Sequence, residues 1–201
     1  MKLILRTVSY LFHPLLIPIA GTLAYFRITP KYSPLAVQSG NVLPIFILTV
    51  IIPIIFYLIL NNIGLVKSVF VPNARERRFP LYINILLFLM ILYKVIPNNY
   101  TIELFYFFVG LTSAAIASLV LLFLNFKSSL HMTGIASLFM YLVCLSVHFE
   151  TNITIALSLT MLAIGLVATS RLYARAHNGP EIVVGLVIGL FSQLLTIKFW
   201  M

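Results

Sequence analysis

Residues 101–124 read TIELFYFFVGLTSAAIASLVLLFL, an apolar run in which Glu103 is the single charged residue. A helix needs about 20 such residues to cross the roughly 30 Å hydrocarbon core of a bilayer. A strand of a membrane barrel would instead alternate apolar and polar residues over about ten positions. The run therefore predicts a transmembrane helix, because a helix satisfies its own backbone hydrogen bonds within the bilayer.

Six further apolar runs of this kind flank it along the chain. They cover residues 8–26, 42–61, 80–96, 130–148, 153–172 and 182–199. The whole sequence is 62% hydrophobic and 8% charged, whereas about 25% of the residues of a soluble domain are charged. We therefore predict an all-α polytopic membrane helix bundle of about six to seven transmembrane helices, with residues 1–201 forming one integral membrane domain.

The charged residues restrict the classes of partner. The chain carries 13 Lys and Arg but four acidic residues, a net charge of +9. In a membrane protein such cations anchor helix ends, meet anionic lipid or bind a phosphorylated head group, so no nucleic-acid partner is expected. The few histidines lack Asp or Cys at metal-ligand spacing, and we expect no metal site and no cofactor.

Proline and glycine residues predict where the helices bend and touch. The first two runs contain prolines, and each proline in a membrane helix frees a carbonyl group, so kinks are expected there. These prolines are Pro14, Pro18, Pro44 and Pro53. Gly185 and Gly189 form a Gly-x-x-x-Gly pattern that favours a close helix contact within the chain. The same pattern in a homodimer face is the alternative, which leaves a homo-oligomer open.

Three polar stretches interrupt the apolar sequence at residues 67–80, 125–131 and 170–181. They follow the second, fourth and sixth apolar runs. An even number of membrane crossings separates each stretch from the next, so all three emerge on one membrane face in either orientation. They can therefore form one site.

The third polar stretch concentrates the chemistry of the chain. It reads SRLYARAHNGPE, in which Arg171 is followed six residues later by His177 and four residues after that by Glu181. An arginine, a histidine and a carboxylate are costly to place beside a bilayer, and such groups are by default functional.

This pattern resembles the third signature of the type 2 phosphatidic acid phosphatase (PAP2) superfamily. The second signature of that superfamily is Pro-Ser-Gly-His; Ser129 and His131 match it, while Ser128 and Leu130 replace the proline and the glycine. The two matches lie in the superfamily order and are two helices apart. The PAP2-like core covers about residues 67–189.

The first PAP2 signature, Lys-x6-Arg-Pro, is not reproduced. Seven residues separate Lys67 from Arg75, no proline follows Arg75, and residues 77–80 read RRFP. By resemblance we assign phosphate binding first to Arg78 and then to Arg75 and Lys67. A basic loop of this kind is also typical of a positive-inside anchor, and that alternative stays open.

The resemblance implies a mechanism without metal. His177 is the expected nucleophile that forms a phosphohistidine, and Glu181 holds its other ring nitrogen. His131 is expected to protonate the leaving oxygen. Arg171 and the Ser129 hydroxyl neutralise charge on the equatorial phosphate oxygens. The superfamily usually has Asp at the position of Glu181, so this carboxylate is one methylene further from the backbone.

The resemblance thus implies a hydrolase of a phosphomonoester or diphosphate of a lipid in a bacterial inner membrane. Its partners are a phosphorylated lipid substrate and membrane lipid, and polyprenyl diphosphate, phosphatidic acid, phosphatidylglycerol phosphate and lipid A phosphates remain open as substrates. The altered signatures favour an alternative, a PAP2-like protein that has lost catalysis and binds, transports or scaffolds lipid. A small transporter would place polar residues at mid-membrane, whereas here they cluster at helix ends.

Two histidines are interpreted as structural. His13 adjoins Pro14 inside the first run, and His148 ends the fifth. Orientation depends on how cations are counted: the positive-inside rule puts the three polar stretches in the cytoplasm, but cations that bind phosphate are not topology signals. Many bacterial relatives act on the outer face, so we expect the polar stretches on the extracytoplasmic side.

Overall fold

The protein is an all-α integral membrane protein. Its structure, a computed structural model, describes residues 2–65, 74–96 and 99–201, and these ranges contain no β-strand. Seven helices within them are long and apolar enough to cross a membrane. They are Leu5–Ile28, Leu35–Asn62, Arg77–Val95, Ile102–Phe123, Leu130–His148, Thr154–Tyr173 and Gly179–Ile197.

Bends divide some of these spans into shorter helices. The α-helices in chain order are α1 (Lys2–Leu11), α2 (Ile17–Ile28), α3 (Leu35–Phe46), α4 (Ile52–Asn62), α5 (Ala74–Met90), α6 (Ile102–Phe123), α7 (Leu130–His148), α8 (Thr154–Tyr173) and α9 (Gly179–Ile197). Turns of 3-10 helix cover Pro14–Leu16 and Asn99–Thr101, and π-helical turns cover Ile47–Ile51 and Ile91–Val95.

The first span is broken between α1 and α2, as its prolines predict. His13 has an extended backbone, with φ −66° and ψ 139°, and its Nδ1 accepts the N–H of Leu15 at 3.3 Å. Pro14 has no N–H to donate and begins the 3-10 turn that leads into α2. The break is therefore capped by the side chain of His13.

The second span bends at a π-helical turn instead of a break. Pro44 lies inside α3, and the helix widens into the π-helical turn at Ile47–Ile51 before α4 begins with Pro53 in its first turn. A proline frees the carbonyl group four residues before it, and a π-helical turn is one way to accommodate the disturbed hydrogen-bond ladder.

Contacts between helix ends define two ends of the bundle. At one end, Oγ of Ser9 lies 2.5 Å from Oγ of Ser170, so the start of the first span meets the end of the sixth. At the other end, the buried carboxylate of Glu103 accepts hydrogen bonds from Lys31 at 2.6 Å and from Tyr25 at 3.2 Å. We call the end that contains Ser9 and Ser170 the site end.

Close packing of α7 against α9 fixes the geometry of the site end. A Cβ atom on Gly185 would lie 2.7 Å from the carbonyl oxygen of Ser129, and one on Gly189 would collide with the carbonyl oxygen of Thr133. The Gly-x-x-x-Gly pattern thus lines a contact within the chain. The Ser129 N–H donates to the carbonyl oxygen of Glu181 at 3.0 Å, which joins the starts of the two helices.

Candidate active site

The connection between α8 and α9 presents His177 at the site end. Arg175 reverses the chain in the left-handed region, with φ 50°, and Asn178 caps α9 by accepting the N–H of Glu181 at 2.9 Å. Glu181 therefore lies in the first turn of α9, and its Oε2 is 2.6 Å from Nδ1 of His177. A carboxylate at this distance holds the proton on Nδ1 and leaves Nε2 with a lone pair.

His177 lies in an environment that favours its neutral form. Burial of the ring, followed by the positive charges of Arg77 and Lys127, lowers the pKa of His177 below its usual 6.5, although the hydrogen bond to Glu181 opposes this shift. The lone pair on Nε2 is therefore present at neutral pH, which is the state that a nucleophile requires.

His131 and Arg171 meet beside this pair. His131 lies in the first turn of α7 and Arg171 in the last turn of α8, and Nη1 of Arg171 is 3.3 Å from Nε2 of His131. The carbonyl oxygen of Ser9 is 3.2 Å from the same nitrogen. Arg171 can donate only to a lone pair on Nε2, whereas Ser9 can accept only from Nε2–H. Each contact thus fits one state of Nε2, the lone pair or the N–H.

Two buried polar atoms of the site have no hydrogen-bond partner among the described residues. They are Oγ of Ser129 and Nε of Arg171, in residues that are 0% and 5% exposed. A buried donor without a partner costs about 1–3 kcal/mol. Both atoms can donate a hydrogen bond, and a phosphate oxygen is an acceptor that either of them could bind.

Arg77 is a cation of the first polar stretch whose charge acts on this site. Its charge interacts with Glu181, Arg171 and His177. It also borders a narrow crevice together with Ser128. Sequence reasoning missed Arg77 because the direction of each arginine depends on where α5 begins, and the broken first signature gave no register.

Arg78, the residue first assigned to phosphate, has other partners. Its Nη2 donates to the carbonyl oxygen of Leu122 at 3.1 Å, and its guanidinium lies 4.5 Å from the ring centre of Phe123. These contacts dock α5 onto the end of α6. Lys67 lies outside the described residues, and Arg75 lies on α5 with its side chain outside the described part, so their phosphate-binding role stays a prediction.

An open cleft gives access to His177. Its volume is about 380 Å³, and basic residues lie at its rim. The lining residues are Lys127, Leu172, Arg175, Ala176, His177, Asn178 and Glu181. A ligand with a negatively charged group can therefore reach the imidazole from the site end.

His13 also belongs to the surroundings of the site, although the sequence led us to interpret it as structural. Its ring centre is 5.2 Å from that of His131, and the rings are nearly perpendicular at 82°. The signal available in the sequence was the His-Pro pair two turns into the first span. His148 lies at the opposite end of the bundle, where its Nε2 is 3.5 Å from the Glu103 carboxylate.

Within residues 2–65, 74–96 and 99–201, no three or more His, Cys, Asp or Glu side chains are grouped so that they could hold a metal ion. Comparison with protein-family models, curated proteins and solved structures found no match to this chain. The functional assignment therefore depends on the geometry of the site and on the resemblance of its signatures.

Proposed function

We propose that the protein is a membrane phosphatase that hydrolyses a phosphomonoester or diphosphate of a lipid through a phosphohistidine, without a metal ion. The observation that carries this proposal is the 2.6 Å pair of His177 and Glu181, together with the unpaired Nε of Arg171 at the same end of the bundle. A nucleophile with its orienting carboxylate and an unsatisfied guanidinium donor are the parts that in-line phosphoryl transfer needs.

In the first step, Nε2 of His177 attacks phosphorus while the bond from phosphorus to the leaving oxygen breaks. Glu181 stabilises the positive charge that forms on the ring, as its contact with Nδ1 allows. Protonated His131 gives its proton to the leaving oxygen, which departs as an alcohol or a phosphate. Arg171 and Ser129 donate to the equatorial oxygens, where negative charge is concentrated.

In the second step, water attacks the phosphohistidine. His131, now neutral, takes a proton from that water, and the bond between phosphorus and Nε2 breaks. Inorganic phosphate leaves and both histidines return to their starting states. The contacts of His131 Nε2 with Arg171 and with the Ser9 carbonyl support this exchange, because one suits Nε2 with a lone pair and the other suits Nε2 with a hydrogen.

A lipid phosphate suits the position of the cleft. The cleft lies at the end of the transmembrane helices, and Leu172 and Tyr173 at the end of α8 are half exposed, at 48% and 45%. Lys127 and Arg175 line the same cleft. Cations beside exposed apolar side chains at a membrane surface favour an amphiphile whose charged head enters the cleft while its chains stay in the bilayer.

We place the enzyme in a bacterial inner membrane, with the site end on the extracytoplasmic side. This placement follows from the resemblance to PAP2 enzymes and from excluding phosphate-binding cations from the topology count. The seventh span begins at the site end with Gly179, so Ile197 lies at the opposite end. A reporter fused after Met201 is expected in the cytoplasm, and a reporter on the outer side would reverse the orientation.

A phosphate-binding protein without catalysis is the second candidate. It is favoured by the contacts of Arg78 with Leu122 and Phe123 and by the altered first signature. The same unpaired donors of Ser129 and Arg171 would hold a lipid phosphate without turning it over.

Phosphate release in the presence of EDTA separates these candidates. Purified protein in detergent is expected to release inorganic phosphate from polyprenyl, glycerolipid or lipid A phosphates. His177→Ala is expected to abolish release while the lipid still binds. Binding without release for the wild type across these substrates would favour the second candidate, and release only with added Mg²⁺ would contradict the metal-free mechanism.

A further inference from the structure

The broken first span contributes to the surroundings of His131 although it lies outside the PAP2-like core. The ring of His13 lies edge to face with that of His131, with centres 5.2 Å apart. One turn earlier, the carbonyl oxygen of Ser9 is 3.2 Å from Nε2 of His131. The chain thus holds the expected general acid from a segment to which the resemblance assigns no role.

The backbone around the break fixes the charge state of His13. Its Nδ1 accepts the N–H of Leu15 at 3.3 Å, and a nitrogen that accepts a hydrogen bond carries no proton. His13 in this arrangement is therefore a neutral ring with its proton on Nε2. The Pro14 turn holds it in place, because the ring caps the start of that turn.

The edge-to-face contact bears on the direction of the His131 ring. The two rings are nearly perpendicular, at 82°, and a ring packed edge to face against a neighbour has less freedom to turn. In this orientation Nε2 of His131 lies 3.2 Å from the Ser9 carbonyl oxygen and 3.3 Å from Nη1 of Arg171. His13 is thus the ring against which the His131 imidazole is packed.

We propose that His13 is a positioning residue for His131: its ring holds the His131 imidazole in the orientation that delivers a proton to the leaving oxygen. This inference rests on the proposed phosphatase function. It assigns a role to the break between α1 and α2, because the break places His13 against His131 at the start of α7.

The test compares two leaving groups. A lipid alkyl phosphate needs a proton on its leaving oxygen, whereas p-nitrophenyl phosphate releases a stable phenolate without one. His13→Leu is expected to lower the kcat for the alkyl phosphate by about tenfold or more and to leave the aryl phosphate within about twofold. His13→Phe keeps a ring and is expected to retain most of the alkyl rate.

His148→Phe is the matched control, because His148 makes an edge-to-face contact of the same 5.2 Å with Trp200 at the opposite end of the bundle. It is expected to change neither rate. Equal losses on both substrates in His13→Leu would show a merely structural role and overturn the proposal, as would unchanged rates or a Phe variant no better than Leu.

Nitrogen NMR of labelled histidines provides a readout that does not need turnover. The ring signals of His131, assigned with His131→Gln, are expected to shift in His13→Leu because the ring loses its neighbour. If the wild type hydrolyses no phosphate, the proposed function fails, and the spectrum still decides whether His13 positions His131. An unchanged His131 spectrum in both His13 variants would overturn the inference.

Discussion

Nδ1 of His177 lies 2.6 Å from Oε2 of Glu181, one helical turn further along the chain. The contact forms because Asn178 caps α9 and so places Glu181 in its first turn. The PAP2 signature that the sequence resembles usually has the shorter Asp here, yet the longer side chain of Glu181 reaches the ring. The histidine and the carboxylate that the resemblance pairs therefore lie in contact.

Glu181→Gln tests whether the carboxylate only orients the imidazole. A glutamine oxygen can still accept the Nδ1 proton but carries no charge to stabilise the imidazolium, so kcat is expected to fall by about 10–100-fold. His177→Ala removes the nucleophile and is expected to abolish turnover. Phosphate release by the two purified variants measures the difference. Equal complete loss would indicate that Glu181 takes part directly, and normal activity would remove it from the site.

The pH dependence follows from the lowered pKa of His177. The nucleophile is inactivated by protonation, so the acid limb of kcat/KM is expected below pH 6.5. Arg77→Gln removes a positive charge that lowers this pKa, and the limb is expected to move to higher pH. The profile of phosphate release measured for both proteins checks the direction. An acid limb at the same pH in both proteins would show that the charge of Arg77 does not affect the pKa of His177.

The same shift has a consequence for stability. In the unfolded chain His177 has its ordinary pKa of 6.5, so as pH falls through 6.5 the unfolded state binds a proton that the folded state does not. The free energy of unfolding is therefore expected to decrease below pH 6.5. Thermal unfolding of the wild type and of His177→Ala compares the two slopes, and identical slopes would contradict the assignment.

Arg77 and Arg78 are expected to differ although they are neighbours. Arg77→Ala removes a cation near His177 and is expected to raise KM for a phosphorylated lipid by about tenfold, which is the size of one lost charge-assisted hydrogen bond. Arg78→Ala removes the contacts with Leu122 and Phe123 and is expected to lower thermal stability while KM stays within about twofold. The reverse pattern would support the assignment of phosphate binding to Arg78.

A side chain at Gly185 is expected to disturb both the packing of α9 against α7 and the position of Ser129 in the site. A Cβ at this position would lie 2.7 Å from the carbonyl oxygen and 3.2 Å from the nitrogen of Ser129. These are backbone atoms, so relieving the contact requires a shift of the helix and not only a change of side-chain rotamer. Gly185→Ala is expected to cost about 1–3 kcal/mol of unfolding free energy and to lower kcat, because it separates Ser129 from Glu181.

Gly165→Ala is the control for this prediction, since nothing lies within 4 Å of a Cβ at Gly165 in α8. It is expected to leave activity unchanged and to stabilise the protein by about 0.5–1 kcal/mol, because alanine loses less backbone freedom in a helix. Unfolding and phosphate release measured for both variants decide the point. Equal behaviour of the two would show that the α7–α9 contact tolerates a methyl group.

The sequence predicted the spans and their proline bends more closely than the ends of the spans. Runs of apolar residues indicated the seven spans, because hydropathy over about 20 residues measures the cost of transfer into lipid directly. The start of the second span was placed at residue 42, whereas the helix begins at Leu35. Residues 35–41 include Gln38, Ser39 and Asn41, and their side chains bond to backbone carbonyls, which makes these polar residues compatible with a helix.

The sequence by itself determined the helical membrane fold, because hydropathy is a local property of the chain. It also determined the contact of Glu181 with His177, because the two residues are four positions apart and Asn178 between them caps α9. Only the tertiary structure decided which cation faces the nucleophile and which ring lies against His131. Arg77 and Arg78 differ in direction by about 100° around α5, so the start of the helix and its docking onto α6 select between them. His13 reaches His131 from more than 100 positions away because the break at Pro14 and the packing of α2 on α7 bring the first span to the site end, and no local pattern encodes that distance.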